Sequence, residues 1–82
     1  MQTQVAVVAI IVEKGASVDE VNAVLHKYSE DIIGRMGVPY RKKGVNIISI
    51  AVDAEKAVIE ALEKEIGALD GVSAKTVYSA DQ

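Results

Sequence analysis

Ile32-Ile33-Gly34-Arg35-Met36-Gly37-Val38-Pro39-Tyr40 places two glycines, the single proline of the chain and an adjacent Arg-Met pair between apolar runs. Ile32 to Met36 reads as a short strand interrupted by Gly34. Gly37-Val38-Pro39 through Lys43-Gly44 supplies turn chemistry, so the segment predicts a hairpin into a third strand. That strand, Val45-Asn46-Ile47-Ile48-Ser49-Ile50-Ala51-Val52, is apolar at nearly every position, as is Val5-Ala6-Val7-Val8-Ala9-Ile10-Ile11-Val12 upstream. β-branched runs without polar alternation mark strands that are covered on both faces and central in a sheet.

Between the first strand and the hairpin, Ser17-Val18-Asp19-Glu20 has the form of a capping box. The Ser17 side chain accepts from the Glu20 amide, and Glu20 reaches back to the Ser17 amide. Val18, Val21, Leu25 and Tyr28, with Val24, follow at helical spacing, and Asp19, Asn22, His26 and Lys27 take the remaining surface. After the third strand, Asp53 is expected to end it and cap a second helix from Ala54 to Ile66. Val58, Ile59, Leu62 and Ile66 form its apolar stripe, and Gly67 suits its C-terminal cap. Leu69-Asp70-Gly71 then turns the chain into Val72–Tyr78, whose polar residues suit an edge strand.

The order β-α-β-β-α-β predicts an α+β, ferredoxin-like plan for residues 1–82 as one domain: a four-stranded antiparallel sheet with two helices on one face. Two helices cover one face only, yet the first and third strands carry Val and Ile on both. Face-to-face or edge-to-edge sheet pairing between subunits would bury the rest, so a homo-oligomer, dimer or tetramer, is expected.

Composition points the same way. A monomer of 82 residues hides only roughly 60 % of the surface its unfolded chain exposes. Half the residues are nonetheless apolar, with three tyrosines as the only aromatics. The lack of cysteine excludes disulfides and thiolate chemistry and suits a cytoplasmic protein. Val5 to Val12 is too short to span a bilayer and lacks the flanks of a signal peptide, so no membrane association is expected. The net charge of −3 argues against nonspecific attraction to nucleic acid. Arg35, Arg41, Lys42 and Lys43 do concentrate positive charge, but such clusters are more often solvated turns.

No nucleophile with a base, no carboxylate pair and no phosphate-cradling glycine pattern can be placed, and Gly34-Arg35-Met36-Gly37 lacks the spacing of either nucleotide fingerprint. An enzyme is not expected, and no cofactor or metal is implied. His26, the single histidine, reads as an ordinary surface helix residue. The loop Glu13-Lys14-Gly15-Ala16-Ser17 puts a glycine beside a helix N-terminus, where backbone amides can take a carboxylate, so Gly15, Ala16 and Ser17 are candidate ligand-binding residues. A plain strand-to-helix turn explains the same residues. Arg35, Met36 and Tyr40 are candidates for an interface or a ligand contact, since Arg pairs with anions and Met fills adaptable contacts; closing a hairpin against a neighbouring subunit accounts for them as well.

Ile32 to Tyr40, Val45 to Ile50, and Ile66-Gly67-Ala68-Leu69-Asp70-Gly71-Val72-Ser73-Ala74-Lys75-Thr76-Val77-Tyr78-Ser79 together resemble the iron-only hydrogenase system regulators over nearly the whole chain. These are small ACT-like domains related in fold to the C-terminal domain of the nickel-responsive repressor. The resemblance implies a ferredoxin-like fold, assembly through sheets and a regulatory role around hydrogenase. ACT domains bind amino acids or similar small molecules at subunit interfaces near the loop after the first strand, here Glu13 to Ser17. The repressor's metal ligands are histidines and a cysteine, so one histidine and no cysteine argue against nickel sensing by that site. Its DNA-binding ribbon-helix-helix segment has no counterpart before the first strand, so direct DNA binding is not expected. A small-molecule sensor and a protein-docking module without a metabolite both remain open.

Overall fold

The structure, a computed structural model, describes residues 2–80. Its elements are β1 (Gln4–Val12), α1 (Val18–Lys27), a 3-10 turn (Ser29–Asp31), β2 (Ile32–Tyr40), β3 (Val45–Ala54), α2 (Lys56–Gly67) and β4 (Val72–Tyr78). The strands form one antiparallel sheet in the order β2-β3-β1-β4. The two all-apolar strands are therefore the central pair, and the predicted ferredoxin-like arrangement is the observed one.

Strand alternation separates the two faces. Ala6, Val8, Ile10 and Val12 of β1 and Ile48, Ile50, Val52 and Ala54 of β3 point toward the helices and are buried with Val21 and Leu25 of α1 and Ile59, Leu62 and Ile66 of α2. No polar or charged residue is buried among the described residues. The Ser17 Oγ accepts from the Glu20 N–H at 3.1 Å, which is the predicted N-cap.

Several local expectations are corrected. β2 does not turn at Gly37 but continues to Tyr40, and the tight turn lies at Arg41–Gly44, where Gly44 has φ +70°. Asp53 lies within β3, opposite Val5 in register, and the residue before α2 is Glu55, whose side chain makes no capping bond. Gly67 is the last helical residue; Ala68 follows as the cap in right-handed geometry, and Gly71 makes the reversal with φ +73°. Any side chain at Gly71 would also press on Ala16, because an added Cβ would stand 3.0 Å from the Ala16 Cβ.

The two helices are clasped at one end. Lys27 donates to Glu65 Oε1 at 2.5 Å, and the Tyr28 hydroxyl donates to the other oxygen of the same carboxylate. The bond from Lys27, then the bond from Tyr28, hold Glu65 below the ordinary value of 4.5. The same bond to Glu65 raises Tyr28 above 10.0. A depressed carboxylate contributes stability that is present above its unfolded pKa and lost as pH falls through the folded one. Thermal melts should therefore show the wild type losing stability more steeply than Glu65→Gln below about pH 4.5. Because Glu65 is solvent-screened the difference is small, and equal slopes would mean the clasp contributes nothing.

Candidate functional site

The sheet outruns the helices. Strands of nine and ten residues extend about 30 Å, whereas α1 and α2, with ten and twelve residues, are about 15 and 18 Å long. β2 carries the consequence: every residue after Ile32 in it is exposed. A bulge between Ile32 and Gly34 decides which way its side chains point. Ile32 stands opposite Val52 on the helix side. The extra residue at Ile33 then inverts the alternation, because a shift of one residue flips every side chain that follows. Gly34, Met36, Val38 and Tyr40 consequently share the open face with Ala51, Ser49, Ile47 and Val45, and Arg35, Gly37 and Pro39 share the helix side with Ile50, Ile48 and Asn46.

Two features result. The first is an apolar open face. Of the large hydrophobic side chains exposed among the described residues, Val7, Met36, Val38, Tyr40, Ile47 and Val77 all lie on it, and Ile33 at the bulge is the exception. Rows across the sheet run Val38-Ile47-Ile11-Ser73 and Met36-Ser49-Ala9-Lys75. The second is a groove of about 400 Å³ between α1 and β2, lined by Asn22, Leu25, His26, Ser29, Ile32 and Arg35. Across it an Arg35 Nη2 N–H donates to Asn22 Oδ1 at 2.6 Å.

The candidate residues from the sequence thus divide among three places. Met36 and Tyr40 are on the open face, and Tyr40 also borders a shallow depression of about 150 Å³ at the hairpin tip with Pro39, Arg41 and Asn46. Arg35 is on the opposite side, in the groove. Gly15, Ala16 and Ser17 sit together at the end of the sheet shared with the hairpin tip and the turn before β4: Glu13 N–H donates to the Gly71 carbonyl at 2.8 Å, and an added Cβ on Gly44 would lie 3.1 Å from Lys14 Cδ. Arg35 faces Ile50, which in turn faces Val8, so it lies four residues in from that end, about 13 Å away. Gly15 takes φ +91° and looks into open space. Its neighbours are engaged locally: Ala16 N–H donates to the Glu13 carbonyl at 3.0 Å, and Ser17 caps α1.

Asn22, His26 and Ser29 were not candidates from the sequence. Their spacing of four and three residues puts them on one strip of α1 and its following turn, beside the buried stripe. That signal was present, but the partner wall was hidden by the bulge that turns Arg35 inward. Among the described residues no three His, Cys, Asp or Glu side chains gather to hold a metal ion, and no helix is long and apolar enough to cross a membrane.

The chain is thus a small βαββαβ domain with a bare apolar sheet face. Residues 4–76 match the family model of the TM1266-like proteins, described, as a proposal, as iron-only hydrogenase system regulators. The chain belongs to this TM1266-like family. Among solved structures it is similar to the uncharacterized protein TM1266 from Thermotoga maritima, with 33 % identity and a TM-score of 0.89 over 94 % of this chain and 98 % of that one. No curated protein matches it.

Proposed function

We propose that this protein is a non-enzymatic regulatory domain of the iron-only hydrogenase system that works as an assembly of copies and senses a small molecule. The observation that carries the reading is the apolar open face. Val7, Met36, Val38, Tyr40, Ile47 and Val77 make a contiguous surface of a kind that monomers rarely leave in water.

A second copy is the occupant that suits it. The face carries as charged members among the described residues Asp53 on β3 and Lys75 on β4, one of each sign. It can therefore meet itself across a two-fold axis without like charges at its centre. Four strands about 4.8 Å apart and about 30 Å long offer roughly 500 Å² per copy, so a pair buries roughly 1,000 Å², at the lower limit of a stable interface. The family's description supplies the hydrogenase context, and the groove beside Arg35 supplies room for a small molecule.

Native mass spectrometry of protein purified from its own host tests both halves at once. The expected result is a multimer with a discrete added mass. A multimer without added mass would favour the docking module, for which the long outer edge of β2, paired on one side only, provides a surface. A monomer at micromolar concentration would overturn the assembly.

A further inference from the structure

We propose that the groove between α1 and β2 binds a small organic carboxylate, with the Arg35 guanidinium taking the carboxylate and Leu25 and Ile32 covering a short apolar body. This names the ligand class for the sensing half of the reading above and rests on it.

Arg35 is held before any ligand arrives. Its bond to Asn22 Oδ1 at 2.6 Å ties β2 to α1 and uses one of the five N–H donors of a guanidinium. The acceptor is a neutral amide, and the one ion pair among the described residues joins Lys27 to Glu65. The Arg35 charge is therefore not neutralised by a carboxylate among the described residues, and the remaining donors form the planar fork that a carboxylate meets with two parallel bonds.

The walls set the rest of the ligand. Leu25 is nearly fully buried and Ile32 half-buried, so the floor is apolar. His26 and Ser29 stand on the α1 wall with Asn22 and can hydrogen-bond one polar substituent. A volume of about 400 Å³ lies at the small end of ligand pockets. A single guanidinium beside an apolar floor suits a monocarboxylate better than a phosphate dianion, which calls for several cations or a cluster of backbone amides.

Gly37 stands next to Arg35 on the same side of β2. Two residues along from Arg35 it faces the helix side, its φ is ordinary for a strand, and an added Cβ would meet nothing within 4 Å. Any larger residue there would build into the space beside Arg35, while β2 itself would accept a β-branched residue readily.

The experiment is a ¹H–¹⁵N NMR titration of the intact protein with isovalerate, with isovaleramide as its neutral counterpart, and with inorganic phosphate. Isovalerate is expected to shift the amides of Asn22, Leu25, His26, Ser29, Arg35 and Gly37 saturably, and isovaleramide to bind about tenfold more weakly. Arg35→Gln should weaken isovalerate about tenfold. Gly37→Val should do the same by crowding the Arg35 side chain on the helix side of β2, with the dispersion of both spectra showing an intact fold. The proposal is overturned if isovalerate gives no saturable shift at these residues, if the amide binds equally well, if phosphate binds more tightly, or if both variants keep wild-type affinity. Mass measured on the same samples separates the two readings. A monomer that binds isovalerate in the groove would remove the assembly and keep this site, whereas a multimer indifferent to isovalerate would do the reverse.

Discussion

Truncation of Ile10 to alanine is expected to cost about 2–5 kcal/mol, the range for deleting a large aliphatic side chain from a packed interior. Ile10 is fully buried in β1, between Ile48 of β3 and Ala74 of β4 in register and within the layer closed by both helices. β1 is a central strand held on both sides, so the backbone cannot collapse easily into the cavity. A domain of 82 residues has a total stability of about 4–12 kcal/mol, so this one change removes a large share of it. Urea unfolding followed by circular dichroism measures the loss. It should be run at two protein concentrations, because assembly adds stability that depends on concentration. Ile33→Ala is the comparison: this side chain stands at the bulge with 64 % of its surface exposed, and the change should stay within about 0.5 kcal/mol. A cost below about 1 kcal/mol for Ile10→Ala would mean the site repacks freely and the helix-facing layer is not the core.

How legible the molecule was from its sequence differs between elements for physical reasons. β1, β3 and α2 have strong patterns, largely apolar β-branched runs and a clean helical stripe, and they form close to where expected, with β3 running on to Ala54 and α2 starting at Lys56 rather than Ala54. β2 was read as half strand and half turn because Gly34, Gly37 and Pro39 are turn residues by composition. On an edge strand the same residues are tolerated: a proline there need not donate to a second neighbour, and neither glycine takes a positive φ. Glycine also leaves space, and at Gly37 that space lies beside Arg35 on the helix side.

The site was less legible than the fold. Arg35 was singled out as a candidate for an interface or a ligand contact, but the side it faces depends on the bulge at Ile33, which only the register with β3 reveals. Without that bulge Arg35 would lie on the open face and Met36 beside α1. His26 is exposed, as the sequence predicts, and also borders the groove opposite β2. Asp53 as a cap failed because local propensity places such a residue near an element end, whereas the pairing of β3 with β1 as far as Ala54 fixes where this end falls.

Ile47→Lys should convert the assembly to monomers while leaving the fold intact. Ile47 lies on β3 between Ile11 and Val38 on the open face, and with 39 % of its surface exposed it is free to carry a longer side chain within one copy. In a face-to-face pair the ammonium would be buried without a partner, at a cost of about 3 kcal/mol or more. A two-fold axis applies that cost twice, which weakens association by roughly four orders of magnitude. Sedimentation equilibrium is the measurement, with circular dichroism to confirm that the helices and sheet persist. Ala61→Lys, an exposed change of equal charge on α2, controls for net charge and should keep the wild-type mass. If Ile47→Lys stays assembled and Ala61→Lys dissociates, the copies meet through the helices and the open face must be covered by something else. If both variants keep the wild-type mass, neither surface holds the copies together, and the outer edge of β2 becomes the place to introduce the next charge.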